Sequence, residues 1–317
     1  STENIFIGKD SGGGTWDTAA SNYNVGIGNL SMDAGMNGAL GNTAVGYASL
    51  SGLTSGDGNV AIGQNAASAT TNSAGNVAIG YDAMKLCNVS DGHNVAIGHG
   101  VMDGGTGGYY NICIGKDTGA AFANANVGTC VLIGHEAGDA INGSGADSTI
   151  AIGYGALGAL TTGEGNVAIG YESQFSAQDI GDHNTSVGYR ALKALDPTSD
   201  GDGRNTAVGY LAGTALTNAI QSTLIGSHAG DALTTGTQNT VVGATALSAA
   251  TTATLNTAVG KDAMGDVKTG VAVSSCVAIG HSALKGNSSN SVGINGTVAI
   301  GYTALTALTT GSGNTAV

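Results

Sequence analysis

Residues 42–50 read NTAVGYASL, and residues 76–84 read NVAIGYDAM. The same five-residue core (Asn, then Val or Thr, Ala, Val or Ile, and Gly) recurs along the whole chain, so we number each copy from its glycine. The copies lie 17 to 21 residues apart, and an eighteenth begins at Asn314. A fixed period of this length is typical of architectures in which each repeat stacks on the next. The seventeen glycines are Gly8, Gly28, Gly46, Gly63, Gly80, Gly98, Gly115, Gly134, Gly153, Gly170, Gly188, Gly209, Gly226, Gly243, Gly260, Gly280 and Gly301.

The composition limits the class of protein. Glycine supplies 56 of the 317 residues, which disfavours helices because an interior glycine costs about 1 kcal/mol. Nine basic residues against 22 acidic ones, a net charge of −13, provide no basic surface for nucleic acid. No apolar run of about 18 residues predicts a membrane-spanning helix. The four cysteines lack CxxC spacing, so we interpret them as buried thiols rather than as a zinc site or a disulfide framework.

The residues before each glycine predict a short strand. The position one before the glycine (−1) is Ile or Val in every copy, and the position three before it (−3) is Val, Ile or Thr. These two positions share one face of a strand, because strand side chains alternate. We predict that this face forms the core, which then includes Val45, Ile62, Ile79, Ile97, Ile152 and Ile169.

The period and the strands together predict the fold. We expect an all-β protein, a parallel β-solenoid or β-roll of about seventeen coils. The repeat covers residues 1–317 without a break in pattern, so we expect a single repeat domain that forms a segment of a longer fibre chain. With strands about 4.8 Å apart, seventeen coils make a rod on the order of 80 Å long.

The opposite face of the predicted strand carries mostly alanine at position −2. Small side chains allow another backbone to approach closely, so this face is interpreted as the contact between identical chains in a homotrimer. Cys113 lies on it and is expected to crosslink between chains under oxidation. The alternative is a monomeric solenoid in which the alanine face packs against the chain's own second wall. The residues of the predicted contact are Ala44, Ala61, Ala78, Ala96, Cys113, Ala151 and Ala168.

Two further features of the repeat concern its corners. Position −4 is Asn in most copies, and Asn suits either a left-handed corner or a ladder of stacked, hydrogen-bonded side chains. Leu or Met is common four residues after the glycine (+4), and Leu often follows at +7. This spacing fits a second short strand with a bend or a single helical turn, and the sequence leaves both open.

The motifs NTAVGYASL, NVAIGYDAM and NVAIGYESQ (residues 166–174) resemble the NSVAIG-type repeats of trimeric autotransporter adhesin heads. Those heads form left-handed parallel β-rolls in a threefold bundle. The motifs are also similar to the NTAVGYxAL repeats of phage tail fibres and related bacterial fibre proteins. The coils are longer here than in the adhesin-head repeat. The resemblance implies a homotrimer located outside the cell, on a cell surface or a virion appendage, that attaches to a surface receptor such as a glycan.

The expected function is therefore that of a structural and adhesive fibre segment, without enzymatic activity, cofactor, metal, nucleic-acid partner or membrane insertion. The longer corners around residues 193–205 and 285–297 are candidate receptor contacts. The position after the glycine (+1), which alternates Tyr, His and Lys, is interpreted as a rim over the core, with stacking on sugar rings as the alternative. The residues that we single out in the corners are Asp200, Asp202, Arg204 and Asn290.

Two rival functions remain. A monomeric ice-binding or glycan-binding solenoid is suggested by threonine at position −3 in five consecutive copies, although the predicted core places these residues inside. An enzyme such as a solenoid glycan lyase or acyltransferase is disfavoured, because no acidic or histidine cluster is evident on neighbouring coils. The threonines are Thr185, Thr206, Thr223, Thr240 and Thr257.

Overall fold

A computed structural model describes residues 2–17, 19–88, 92–105, 108–122, 127–143, 145–177, 182–196, 203–267, 272–287 and 293–317. The chain is all-β, a parallel β-solenoid of about sixteen turns, and these residues contain no helix. The contacts between residues divide it into two compact units, Ser1–Thr162 and Gly163–Val317.

Each repeat contributes one short strand, and within each unit every strand pairs in parallel with the next. The first unit contains β1 (Ile5–Ile7), β2 (Val25–Ile27), β3 (Thr43–Val45), β4 (Val60–Ile62), β5 (Val77–Ile79), β6 (Val95–Ile97), β7 (Ile112–Ile114), β8 (Val131–Ile133) and β9 (Ile150–Ile152). The second contains β10 (Val167–Ile169), β11 (Thr185–Val187), β12 (Thr206–Val208), β13 (Thr223–Ile225), β14 (Thr240–Val242), β15 (Thr257–Val259), β16 (Val277–Ile279), β17 (Val298–Ile300) and β18 (Thr315–Ala316).

The register matches equivalent positions of successive copies. Val60 pairs with Val77 and Ile62 with Ile79, and the other pairs follow the same rule. The β-branched residues at −3 and −1 favour the strand. The glycine ends the strand, because its backbone is left-handed and lies close to the next coil. Gly63, for example, has a φ of +137°, and a Cβ there would lie 2.3 Å from the carbonyl oxygen of Gly80.

The predicted assignment of the two strand faces is wrong. The alanine face points into the solenoid, where its residues are completely buried within one chain, so it is not available for contact between chains. The burial agrees with the packing part of the alternative, in which this face packs against the chain's own second wall, and Cys113 is an interior residue. The buried residues are Ala44, Ala61, Ala78, Ala96, Cys113, Ala151 and Ala168.

The predicted core face points outward. Ile62 and Ile169 are 39% and 36% exposed, and the remaining predicted core residues, Val45, Ile79, Ile97 and Ile152, are half-buried. The reason is the width of the coil. The interior is already filled by residues of the following turns, such as Leu50 and Leu53, so the strand has room for only a small side chain on its inner face.

The interior volumes at positions −2 and +4 compensate each other. Eight of the seventeen copies place alanine at −2 and a larger residue at +4, but β13 has Leu224 at −2 and the same coil has Gly230 at +4. A Cβ on Gly230 would lie 3.0 Å from a methyl carbon of Leu224. The first coil repeats the exchange with Phe6 at −2 and Gly12 at +4, where a Cβ on Gly12 would lie 2.8 Å from a ring carbon of Phe6. Positions −2 and +4 therefore face each other across the interior.

We expect Leu224→Ala and Gly230→Leu to compensate in a double-mutant cycle. Gly230→Leu alone overpacks the interior and should cost about 1–3 kcal/mol. Leu224→Ala alone leaves a cavity and should cost about 2–5 kcal/mol. The double variant restores a combination that other coils use, such as Ala278 with Leu284, so its destabilisation should fall short of the sum by about 1–3 kcal/mol.

Urea unfolding of the four proteins measures this coupling. Gly230→Leu combined with Leu284→Ala, a buried position three coils away in the same unit, is the control and should be additive within about 0.5 kcal/mol. A coupling between Leu224 and Gly230 no larger than in this control would contradict the arrangement.

The corner before most strands combines a left-handed residue with a buried asparagine. The left-handed residue is at position −5, for example His93 and Tyr110, each with a φ of 58°. The asparagine that follows forms a ladder: Asn59 Nδ2 donates to Asn42 Oδ1 at 3.0 Å. The ladder interpretation is confirmed, whereas the left-handed role belongs to the preceding residue. The segment from +2 to +7 is a series of turns and, where described, neither a second strand nor a helical turn.

Candidate functional site

Positions −3 and −1 form a flat outward face on each unit, which we call the outer wall. Within a unit its side chains lie in register on nine consecutive strands, and all of them are Val, Ile or Thr except at the incomplete β18. The most exposed members include Ile5 at 55% and Ile7 at 59%, and further along the chain Ile112 at 40%. Among the described residues, the outer wall is thus an uncharged, largely apolar surface whose side chains stay partly exposed.

Five consecutive strands of the second unit carry threonine on the outer wall. Thr206 pairs with Thr185 on one side and with Thr223 on the other, and the pairing continues through Thr240 and Thr257. Four of these residues are half-buried and Thr240 is exposed. The prediction that they face the core is wrong, because position −3 lies on the outer face of the strand.

The Tyr and His residues at position +1 stack on one another along the coils. Tyr171 and Tyr189 have ring centroids 5.3 Å apart at an interplanar angle of 11°, and Tyr189 and Tyr210 are 5.3 Å apart at 14°. The guanidinium of Arg190 lies 5.0 Å from the centre of the Tyr189 ring. Because these ring faces are turned toward neighbouring rings, they are less available for a sugar to stack on. The geometry favours the interpretation of this column as a rim.

Beside this rim, Glu172 is held by two cations. Its Oε2 accepts hydrogen bonds from Arg190 Nε at 2.8 Å and from Lys193 Nζ at 2.6 Å. The hydrogen bond from Lys193 and then that from Arg190 lower the pKa of the Glu172 carboxyl. The three side chains bind one another, which leaves the cluster with a structural role.

A second polar cluster lies where β7 and β8 end. Asp117, His135 and Glu136 offer one ligand atom each, and these atoms all lie within 4.8 Å of one another. Lys116 Nζ contacts Asp117 Oδ2, and His99 Nδ1 lies 3.8 Å from Asp117 Oδ1. The expectation that neighbouring coils carry no acidic or histidine cluster is therefore wrong. The sequence contains the signal, since Asp117 and Glu136 both occupy position +2 of consecutive copies.

Of the residues singled out in the long corners, the structure describes Arg204 alone. Asp200, Asp202 and Asn290 lie outside the described residues. Arg204 is exposed with a φ of 45°, and its backbone N–H donates to the carbonyl oxygen of Asp182 at 3.2 Å. The proposed contacts at the other three residues therefore stay predictions.

Comparison with known proteins adds no assignment to this geometry. No protein-family model matches the sequence, and no curated protein matches it either. Among the residues that the structure describes, there is no helix long and apolar enough to cross a membrane. The function must therefore be argued from the surfaces described above.

Proposed function

We propose that this chain is a structural segment of a homotrimeric extracellular fibre, on a cell surface or a virion appendage, which spaces and attaches that appendage to a receptor. In this proposal three copies meet along their outer walls rather than along the alanine face. The longer corners around residues 193–205 and 285–297 remain the proposed receptor contacts. The observation that carries the proposal is the uncovered, uncharged outer wall.

The size of the outer wall argues for a partner. A soluble monomer rarely exposes an apolar patch larger than a few hundred Å². Here each unit presents two columns of Val, Ile or Thr side chains over nine strands, about 40 Å along the stacking direction. A surface of this extent is on the scale of the roughly 800 Å² that each partner buries in a stable interface.

The repetition of the outer wall argues that the partner is another copy of the same chain. Its columns run along the stacking direction, so copies that lie side by side in the same direction present matching columns at every strand. No charged side chain occupies positions −3 or −1 in any copy, so no like charges oppose such a contact. Rotation about one axis closes the contact into a ring, and three is the number that the resemblance to trimeric fibre proteins implies.

The double variant Ile62→Lys, Ile97→Lys is expected to separate the trimer into folded single chains. Both residues lie on the outer wall, so a trimer would bring six ammonium groups into an apolar contact, and an unpaired buried charge is strongly unfavourable. Light scattering measures the outcome. The unmodified chain should give three times the 30.6 kDa mass of one chain. The variant should give the mass of a single chain, and its circular dichroism spectrum should be unchanged.

Leu86→Lys is the matched control. Leu86 is 50% exposed on a turn outside the outer wall, so the variant should remain trimeric. A single-chain mass for the unmodified protein would overturn the trimer, and a trimeric Ile62→Lys, Ile97→Lys variant would show that the copies do not meet at the outer wall.

Ice binding by a monomer is the second candidate, and the outward threonines favour it. Thr185, Thr206, Thr223, Thr240 and Thr257 form a regular row of hydroxyl and methyl groups on a flat sheet. Thermal hysteresis by single chains in solution, lost when these threonines are replaced by lysine, would support this candidate over the fibre.

A further inference from the structure

We propose that Asp117, His135 and Glu136 bind a divalent transition-metal ion, and that Zn²⁺ suits the site best. This inference is independent of the proposed fibre. The three residues follow the glycines that end β7 and β8, so two neighbouring coils build the site. They are the only group of three His, Cys, Asp or Glu residues in the described part of the chain whose ligand atoms lie this close together.

The donor set points to the class of metal. One imidazole nitrogen and two carboxylate oxygens are ligands that zinc accepts, and a site with three protein ligands leaves a fourth position open for water. Ca²⁺ and Mg²⁺ prefer sites made only of oxygen ligands. The imidazole therefore favours a transition metal over these two ions.

The orientation of His135 supplies the second observation. Its ring stacks on Tyr154 with centroids 5.4 Å apart and an interplanar angle of 4°, which fixes the plane of the ring. Its Nδ1 atom is buried and has no hydrogen-bond partner, although Glu136 Oε1 lies 3.6 Å away. A buried nitrogen without a partner is unfavourable, and a metal ion bound between Nδ1 and the two carboxylates would give it one.

The local charge favours a cation. Asp139 lies near the same two carboxylates, and burial followed by the charge of Glu136 raises the pKa of its carboxyl. Lys116 Nζ contacts Oδ2 of Asp117, whereas His99 Nδ1 lies 3.8 Å from Oδ1, too far for a hydrogen bond. His135 and the carboxylates of Asp117 and Glu136 are all partly exposed, so an ion from solution can reach them.

Isothermal titration calorimetry of the untagged full chain with ZnCl₂ at neutral pH tests the site. The expected result is one equivalent of Zn²⁺ per chain with saturable binding. His135→Gln and Glu136→Gln should each weaken this binding by at least about tenfold, since even the loss of a partner that orients a ligand costs 10–100-fold. MgCl₂ should give no comparable binding. Zn²⁺ should also raise the unfolding temperature of the unmodified chain but not that of His135→Gln.

His281→Gln is the matched control. His281 occupies the same position +1 and stacks on Tyr302 at 5.3 Å, but it is followed by Ser282 rather than an acid. This variant should bind Zn²⁺ like the unmodified chain. The proposal is overturned if the unmodified chain shows no saturable binding, or if binding survives both His135→Gln and Glu136→Gln in chains whose circular dichroism is unchanged.

Discussion

Gly63→Ala is expected to destabilise the first unit by about 3–5 kcal/mol. The new Cβ would lie 2.3 Å from the carbonyl oxygen of Gly80 and 2.6 Å from its carbonyl carbon. Both atoms belong to the backbone of the next strand's end, which cannot move without breaking the pairing of β4 with β5. The φ of +137° adds strain, because L side chains rarely adopt it.

Gly58→Ala in the same coil separates the clash from the backbone strain. Gly58 also has a left-handed backbone, with a φ of +63°, but a Cβ there would meet no atom within 4 Å. We expect a cost of about 1 kcal/mol from the left-handed conformation alone. Urea unfolding followed by circular dichroism compares the two variants. Equal destabilisation by Gly63→Ala and Gly58→Ala would mean that the close approach of successive coils does not require the glycine.

The sequence allows the positions of the strands to be predicted but not which face of each strand is inside. The period, the β-branched residues at −3 and −1 and the glycine that follows suffice to place a strand in every copy. The inner face was assigned by size, on the rule that the larger apolar residues form the core. That rule fails in a narrow coil, where the turn residues fill the interior and Ala61 suffices on the strand, while Ile62 is 39% exposed.

A signal for the correct face was nevertheless present in the repeat. Where position −2 carries a large residue, as in Leu132 and Leu224, position +4 of the same copy is glycine, Gly138 and Gly230. Exchange of volume between two positions indicates that they touch, and position +4 can reach only the inner face of the strand. Comparison of the copies with one another would thus have placed the alanines inside.

The candidate metal site could be predicted only in part. Asp117 lies 18 and 19 positions before His135 and Glu136, a separation that brings the side chains together only once the copies are stacked in register. With the register known, Asp117 and Glu136 at +2 and His135 at +1 become neighbours. What the sequence does not contain is the stacking of His135 on Tyr154 and the buried Nδ1 that results from it.

Asn59→Ala is the second substitution for which we expect a large effect, a loss of about 3–5 kcal/mol in the free energy of unfolding. Asn59 Nδ2 donates to Asn42 Oδ1 at 3.0 Å and to the Ser73 carbonyl oxygen at 2.8 Å. Its Oδ1 accepts from the backbone N–H of Asn76 at 3.0 Å and from Asn76 Nδ2 at 3.1 Å. Alanine leaves several of these buried groups without a partner, and each such group costs about 1–3 kcal/mol.

Asn59→Ser should destabilise the chain less than Asn59→Ala, because one coil of the second unit already has serine at this position. Ser222 occupies the ladder position in its coil, where its Oγ accepts from the backbone N–H of Asn239 at 3.3 Å, so a hydroxyl replaces one of the four bonds. Asn72→Ala, an exposed position in the same region of the first unit, should change stability by no more than about 0.5 kcal/mol. Chemical unfolding ranks the three variants. If Asn59→Ala lowered the free energy of unfolding no more than Asn72→Ala, the ladder would not stabilise the stacking of the coils. The strand pairing and the packed interior alone would then hold the coils together.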